Sequence, residues 1–174
     1  MDNALQSALS KLLTKRRVFI SYHHKFDQVY CDWLSKHLSK NLEVFTDRSL
    51  DKPVRSDDPE YVNRVIREDY IQGSSITIIL CGQETHKRKY VDWEIYSTLH
   101  HQHALLGIHL PTHKVTPKRL HQNYQSGYAH AVYWNNQWAL NPYQLISEIM
   151  TAINKSKSKS LICNADQKMQ RNLS

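Results

Sequence analysis

The sequence predicts an α/β fold: a doubly wound, mainly parallel sheet of about five strands in the order 2-1-3-4-5, with helices on both faces. Three observations carry that expectation. Ile76 to Cys81 is a β-branched and aliphatic run without alternation, which is how a strand buried on both faces in the middle of a parallel sheet reads. After a polar turn, Tyr90, Val91, Glu94, Ile95, Thr98 and Leu99 recur at helical spacing, so that an apolar stripe returns to the sheet. Strand and helix patterns also alternate along the rest of the chain, each unit having the length that a right-handed crossover needs. The order is the flavodoxin-like one, and Glu94 lies on the inward stripe near the start of a helix, at the strand end where such sheets bind ligands.

Taken in order, residues 1–15 read as an amphipathic helix with Leu5, Ala8, Leu9, Leu12 and Leu13 on one face. Arg17 to Tyr22 is the first strand, and Phe26, Val29, Tyr30, Trp33, Leu34, His37 and Leu38 mark the helix after it. Leu42 to Thr46 is the second strand, followed by a charged loop from Asp47 to Asp57 that contains Pro53. Asp58 and Pro59 supply an N-cap and first-turn proline for a helix that stops near Gly73. Beyond the central strand and its helix, Ala104 to Leu110 is a fourth strand and Pro111 to Ala129 a long polar loop. Ala131 to Trp134 is a short fifth strand, and Pro142 to Ile153 a last helix with Leu145, Ile146, Ile149 and Met150 inward. The domain proper is 16–155. Residues 156–174 alternate lysine with serine and read as a basic, partly disordered tail.

A chain of 174 residues suits one domain with a full core. Its 40% hydrophobic and 22% charged content is ordinary for a globular protein, and no apolar run approaches a membrane span. Asp2 precedes the first apolar residues and Arg16 and Arg17 follow them, unlike a signal peptide, so a cytoplasmic location is expected. Three scattered cysteines, Cys31, Cys81 and Cys163, give neither a disulfide framework nor a metal pair, and the first two read as small buried hydrophobes. The net charge of +7 favours polyanionic partners such as nucleotide phosphates, nucleic acid or acidic lipid without choosing among them.

Absent residues narrow the chemistry. The four glycines, Gly73, Gly82, Gly107 and Gly127, form neither a GxGxxG fingerprint nor a P-loop, which excludes classical dehydrogenases and NTPases. Tyr22, His23 and His24 stand where a phospho-receiver needs acidic residues, and no phosphate loop of the flavodoxin kind follows the first strand. The eleven histidines suggest metal, but His100, His101 and His103 at a helix end lack the i, i+4 pairing, and complementing the helix dipole is the simpler reading.

What is present is Val18-Phe19-Ile20-Ser21-Tyr22 with Asp27 soon after, the run from Ser74 to Gly82, and Tyr90-Val91-Asp92-Trp93-Glu94-Ile95. These motifs resemble TIR domains, above all the TIR-like ThsB proteins of the bacterial Thoeris anti-phage system, over roughly Arg17 to Ile153. Tyr90 stands where many TIR domains have tryptophan, and the helix over 1–15 has no counterpart in a minimal TIR domain. The resemblance implies that Glu94 is the catalytic glutamate of an NAD-cleaving enzyme. It implies NAD as substrate with no resident cofactor or metal, and an ADP-ribose-derived product, often cyclic, that activates a separate effector protein. Other TIR protomers and a phage-derived trigger are the further partners implied.

Residue chemistry is compatible with that. Cleaving the bond between nicotinamide and ribose develops positive charge on the sugar, which a fixed carboxylate stabilises, and nicotinamide leaves neutral without a general acid. Around Glu94, the expected substrate-binding residues are Phe19, Ser21, Tyr22 and His23 at the end of the first strand. Asp47 ends the second strand and Lys87, Arg88, Tyr90 and Trp93 lie about the helix start. Each has a plainer reading: Glu94 as a dipole partner, Phe19 and Trp93 as packing, the basic turn as a solvated one. The competing function is a non-catalytic TIR-like assembly module. Nucleic-acid binding rests on charge alone, with no recognition motif.

Overall fold

The computed structural model describes residues 16–40, 42–46 and 59–174. The expected helix over 1–15, Pro53, the Asp58 cap and Asp47 lie outside the described residues.

Five strands form one parallel sheet: β1 (Arg17–Ser21), β2 (Glu43–Thr46), β3 (Ile76–Cys81), β4 (Ala104–His109) and β5 (His130–Tyr133), in the order β2-β1-β3-β4-β5. The central place of β3 follows from its sequence, since all six of its residues are buried and both neighbours pair with it. Five helices flank the sheet: α1 (His24–Leu38), α2 (Pro59–Gly73), α3 (Lys89–His100), α4 (Lys118–Gln125) and α5 (Pro142–Lys155).

Because alternate strand residues point to opposite faces, two cores result. Ile20, Ile78, Leu80 and Leu106 meet Leu34 of α1 and Ile149 of α5 on one face. On the other, Ile79, Cys81 and Leu105 meet Val91, Ile95 and Leu99 of α3. Thr77, the polar exception in the central strand, has a specific use. The Thr98 hydroxyl lies 2.7 Å from both Thr77 Oγ1 and the Glu94 carbonyl oxygen. Thr98 donates to the carbonyl and Thr77 to Thr98, tying α3 to the sheet beside Glu94. Cys31 and Cys81 are both buried, as the sequence suggests.

Two expectations need correction. The loop expected over Pro111 to Ala129 contains α4, whose sequence Lys-Arg-Leu-His-Gln-Asn-Tyr-Gln has no apolar stripe to announce it. Only Leu120 enters the core, and the helix buries Arg119 and Asn123 instead. The segment 156–174, expected to be partly disordered, runs back across α4 and α3 as a strap. Asn123 grips it at Cys163 through both main-chain groups, at 2.8 and 2.9 Å. Arg119 holds Asn164 Oδ1 and the carbonyls of Asp166 and Gln167 at 3.0 to 3.1 Å. Composition misses such a segment because its anchors are backbone groups bound by distant side chains. No described helix is long and apolar enough to cross a membrane.

Candidate functional site

Glu94 is 2% exposed and lies in the second turn of α3, facing α2 and the end of β1. It borders two cavities. The smaller, about 220 Å³, includes Tyr22, His23, Arg88, Tyr90 and Asn172 in its walls. The larger, about 400 Å³, runs along the groove between α2 and α3 past Arg64, Glu68, Trp93, Tyr96 and Lys168. The position of Glu94 speaks against a dipole partner, because that effect fades within the first helical turn, where Asp92 stands instead.

Several residues expected about Glu94 are brought to it. Tyr22, 3% exposed, donates its hydroxyl to Gln28 Oε1 at 2.8 Å, which fixes the ring at the mouth of β1. His23 caps α1, its Nδ1 accepting from the Lys25 amide at 3.1 Å. Burial, and then the charge of Arg88, hold His23 below the ordinary imidazole pKa. The ring is therefore neutral near pH 7, with its proton on Nε2. Tyr90 stands edge-on to Trp93 with ring centroids 5.5 Å apart. Trp93 turns toward the larger cavity and donates its indole N–H to the Met169 carbonyl at 2.7 Å.

Others are placed elsewhere. Phe19 and Ser21 are wholly buried within β1 and form no part of either cavity's wall, so the expectation that they contact substrate has no support in the geometry. Of the basic turn, Arg88 reaches the smaller cavity. Lys87 and Arg88 both pair with Glu84 Oε2, at 3.3 and 3.5 Å, and Lys89 rides over the rings of Tyr90 and Trp93. His103 is held below the ordinary imidazole pKa, first by burial and then by His101, which suits a neutral ring better than a cation at the helix end. Among the described residues no group of His, Cys, Asp or Glu is disposed to hold a metal.

The sequence reading also missed contributors. Asn172 and Lys168 enter the cavity walls from the strap, 78 and 74 residues beyond Glu94 (172 − 94 and 168 − 94), and no local pattern links them. Arg119, 3% exposed, clasps Asp92 with Nε at 3.0 Å and Nη2 at 3.4 Å, while Asp92 Oδ2 accepts from the Met169 amide at 2.9 Å. This network bolts the strap to the turn of α3 that precedes Glu94.

Residues 19–115, more than half of the 174, match the family described as Thoeris protein ThsB, TIR-like domain. The chain belongs to that family. The ThsB match spans β1 through β4 and includes Glu94, whereas α4, β5, α5 and the strap lie beyond it. A crystal structure of a conserved protein from Enterococcus faecalis is similar at a TM-score of 0.52 and 11% identity, covering 79% of this chain and 98% of that one. The TIR domains of the activated Roq1 resistosome, which directly recognizes the pathogen effector XopQ, superpose with a TM-score of 0.46 and 13% identity over 87% of each chain. No functionally curated protein matches the sequence.

Proposed function

We propose that this ThsB-family chain is an NAD-cleaving enzyme whose Glu94 stabilises the ribose cation formed as nicotinamide leaves. The observation that carries this reading is a carboxylate only 2% exposed, beyond the reach of the helix dipole, bordering a cavity at the ligand end of a parallel sheet and a second that runs from it along the groove between α2 and α3. A carboxylate so placed acts through little intervening water, where it is worth far more to a developing cation than on the surface. Arg88 in the smaller cavity suits the diphosphate, and neutral His23 offers an Nε2–H to a ribose hydroxyl. The C1′–N bond breaks with its electrons going to nicotinamide, which departs neutral. Water then gives ADP-ribose, or an adenine nitrogen of the same molecule closes a ring. The product serves as a signal to a separate effector.

The test is Glu94→Gln. Gln keeps the size of Glu and removes its charge, so nicotinamide release and the ADP-ribose-derived product should fall by at least about a hundredfold, with a melting temperature close to wild type. Both are measured in cells triggered by phage infection and with purified protein. A folded variant that makes product at the wild-type rate would transfer the reading to the non-catalytic assembly module.

A further inference from the structure

Arg88 lines two neighbouring cavities, and the last residues of the strap stand between them. On one side is the cavity of about 220 Å³ that Glu94, Tyr90 and Asn172 border. On the other is one of about 340 Å³ bordered by His86, Asp92, Arg119, Met169 and Leu173. Asn172 belongs to the first wall and Leu173 to the second, so one dipeptide divides the space. The cavity of about 220 Å³ by itself is smaller than the roughly 300–1,000 Å³ that sites for drug-sized ligands occupy, the groove of about 400 Å³ that Glu94 also borders does not include Arg88 in its walls, and a dinucleotide is larger than most such ligands.

The strap is unevenly held. Cys163 to Met169 is fastened by the buried side chains of Asn123, Arg119 and Asp92. Residues 170–174 are all exposed. They are joined to the domain by the Lys89 amide donating to Asn172 Oδ1 at 2.9 Å and the Leu173 amide donating to the Lys87 carbonyl at 3.0 Å. Segments with exposed hydrogen bonds and little buried apolar contact are the ones that open locally without global unfolding.

We propose that residues 170–173 are a hinged strap that gates the Glu94 site. Seated, it partitions the cleft. Lifted from its Met169 anchor, it joins the two cavities into one groove with Arg88 at its centre, where the diphosphate of a dinucleotide is held. Opening also frees the Lys89 amide at the start of α3, so an anionic oxygen arriving beside Arg88 competes with Asn172 for the same donor. The proposal rests on the reading of Glu94 as the NAD-cleaving carboxylate, and it concerns residues outside the stretch matched to the family.

Two measurements test it. Amide hydrogen exchange on the whole chain reports the strap without any ligand: the Lys89 and Leu173 amides should exchange on the order of a hundredfold faster than the Met169 amide, which Asp92 holds. Exchange of all three only with global unfolding overturns the proposal. NAD is then titrated into Glu94→Gln protein, whole and with residues 170–174 deleted. Deletion should tighten binding, about tenfold for a strap open one-tenth of the time; equal, weaker or undetectable binding overturns the gate. Tighter binding by the deleted form, with no nicotinamide release from any Glu94-containing form, upholds the strap and counts against the cleavage reading instead.

Discussion

Asp27 and Glu94 are buried carboxylates near the same rim of the sheet, and their surroundings differ. Asp27 is 0% exposed and lies 3.3 Å from the Thr85 hydroxyl, which also accepts from the Gly82 amide at 2.8 Å. A Cβ on Gly82 would come within 2.3 Å of that carboxylate, so glycine is required by close approach. Burial pushes the Asp27 carboxyl above its ordinary pKa, Thr85 only partly offsetting it. A carboxyl raised in the folded state makes folding less favourable once ionised, so its cost grows as pH rises from the ordinary carboxylate range through the raised value. Asp27→Asn keeps the shape and an acceptor for Thr85 without the charge. We expect it to melt at or above the wild-type temperature at pH 7 and to lose that advantage below pH 4; a variant several degrees less stable at pH 7 would show that the ionised form is needed. Glu94, by contrast, borders two cavities, the setting on which its proposed action on a ligand rests.

At the scale of elements, α4 and the strap form a unit held by polar groups. The Arg119 fork spans Asp92, Asn164 and the carbonyls of Asp166 and Gln167, and Lys118 adds an ion pair with Asp166 at 2.7 Å. A lysine at 119 carries three donors from one point and cannot cover that span. Arg119→Lys should therefore cost about 2–4 kcal/mol, a fall in melting temperature of roughly 5–15 °C for a chain of this size. Exchange of the Met169 amide should quicken in parallel. A melt unchanged within a degree, with Met169 still protected, would mean that the strap is held by something other than this fork. Lys118→Ala, which removes an exposed pair, should shift the melt by about a degree or two at most.

Across the whole molecule, acid acts through histidines. His23, His86, His103, His109 and His113 are all held below the ordinary imidazole pKa, burial being the first cause in each. His109 and His113 stack with centroids 4.2 Å apart, so protonating one also disfavours the other. An imidazole depressed in the folded state leaves stability untouched above its unfolded value of 6.5 and removes it as pH falls below that. The melting temperature should hold between pH 7 and pH 8 and fall progressively from pH 6.5 to pH 5. His109→Gln and His113→Gln together should flatten part of that slope; an unchanged slope would assign the acid sensitivity to other groups.

Sequence alone determined the sheet and its order, the identity of β3 as its centre, the general course of the first three of its four crossovers, and Glu94 as the residue on the inward face of α3. These are local signals: a strand buried on both faces cannot alternate, and a helix returning to a sheet must repeat its apolar residues at its own period. Tertiary structure decided the rest. It turned Phe19 and Ser21 into the sheet and Trp93 toward the strap, made a helix of the polar stretch 118–125, and carried Asn172 and Lys168 into the walls around Glu94. Those outcomes depend on Arg119 and Asn123 finding main-chain groups 40 to 48 residues away. A carbonyl or amide that serves as such an anchor is identical at every position of the chain, so no residue type marks it in advance.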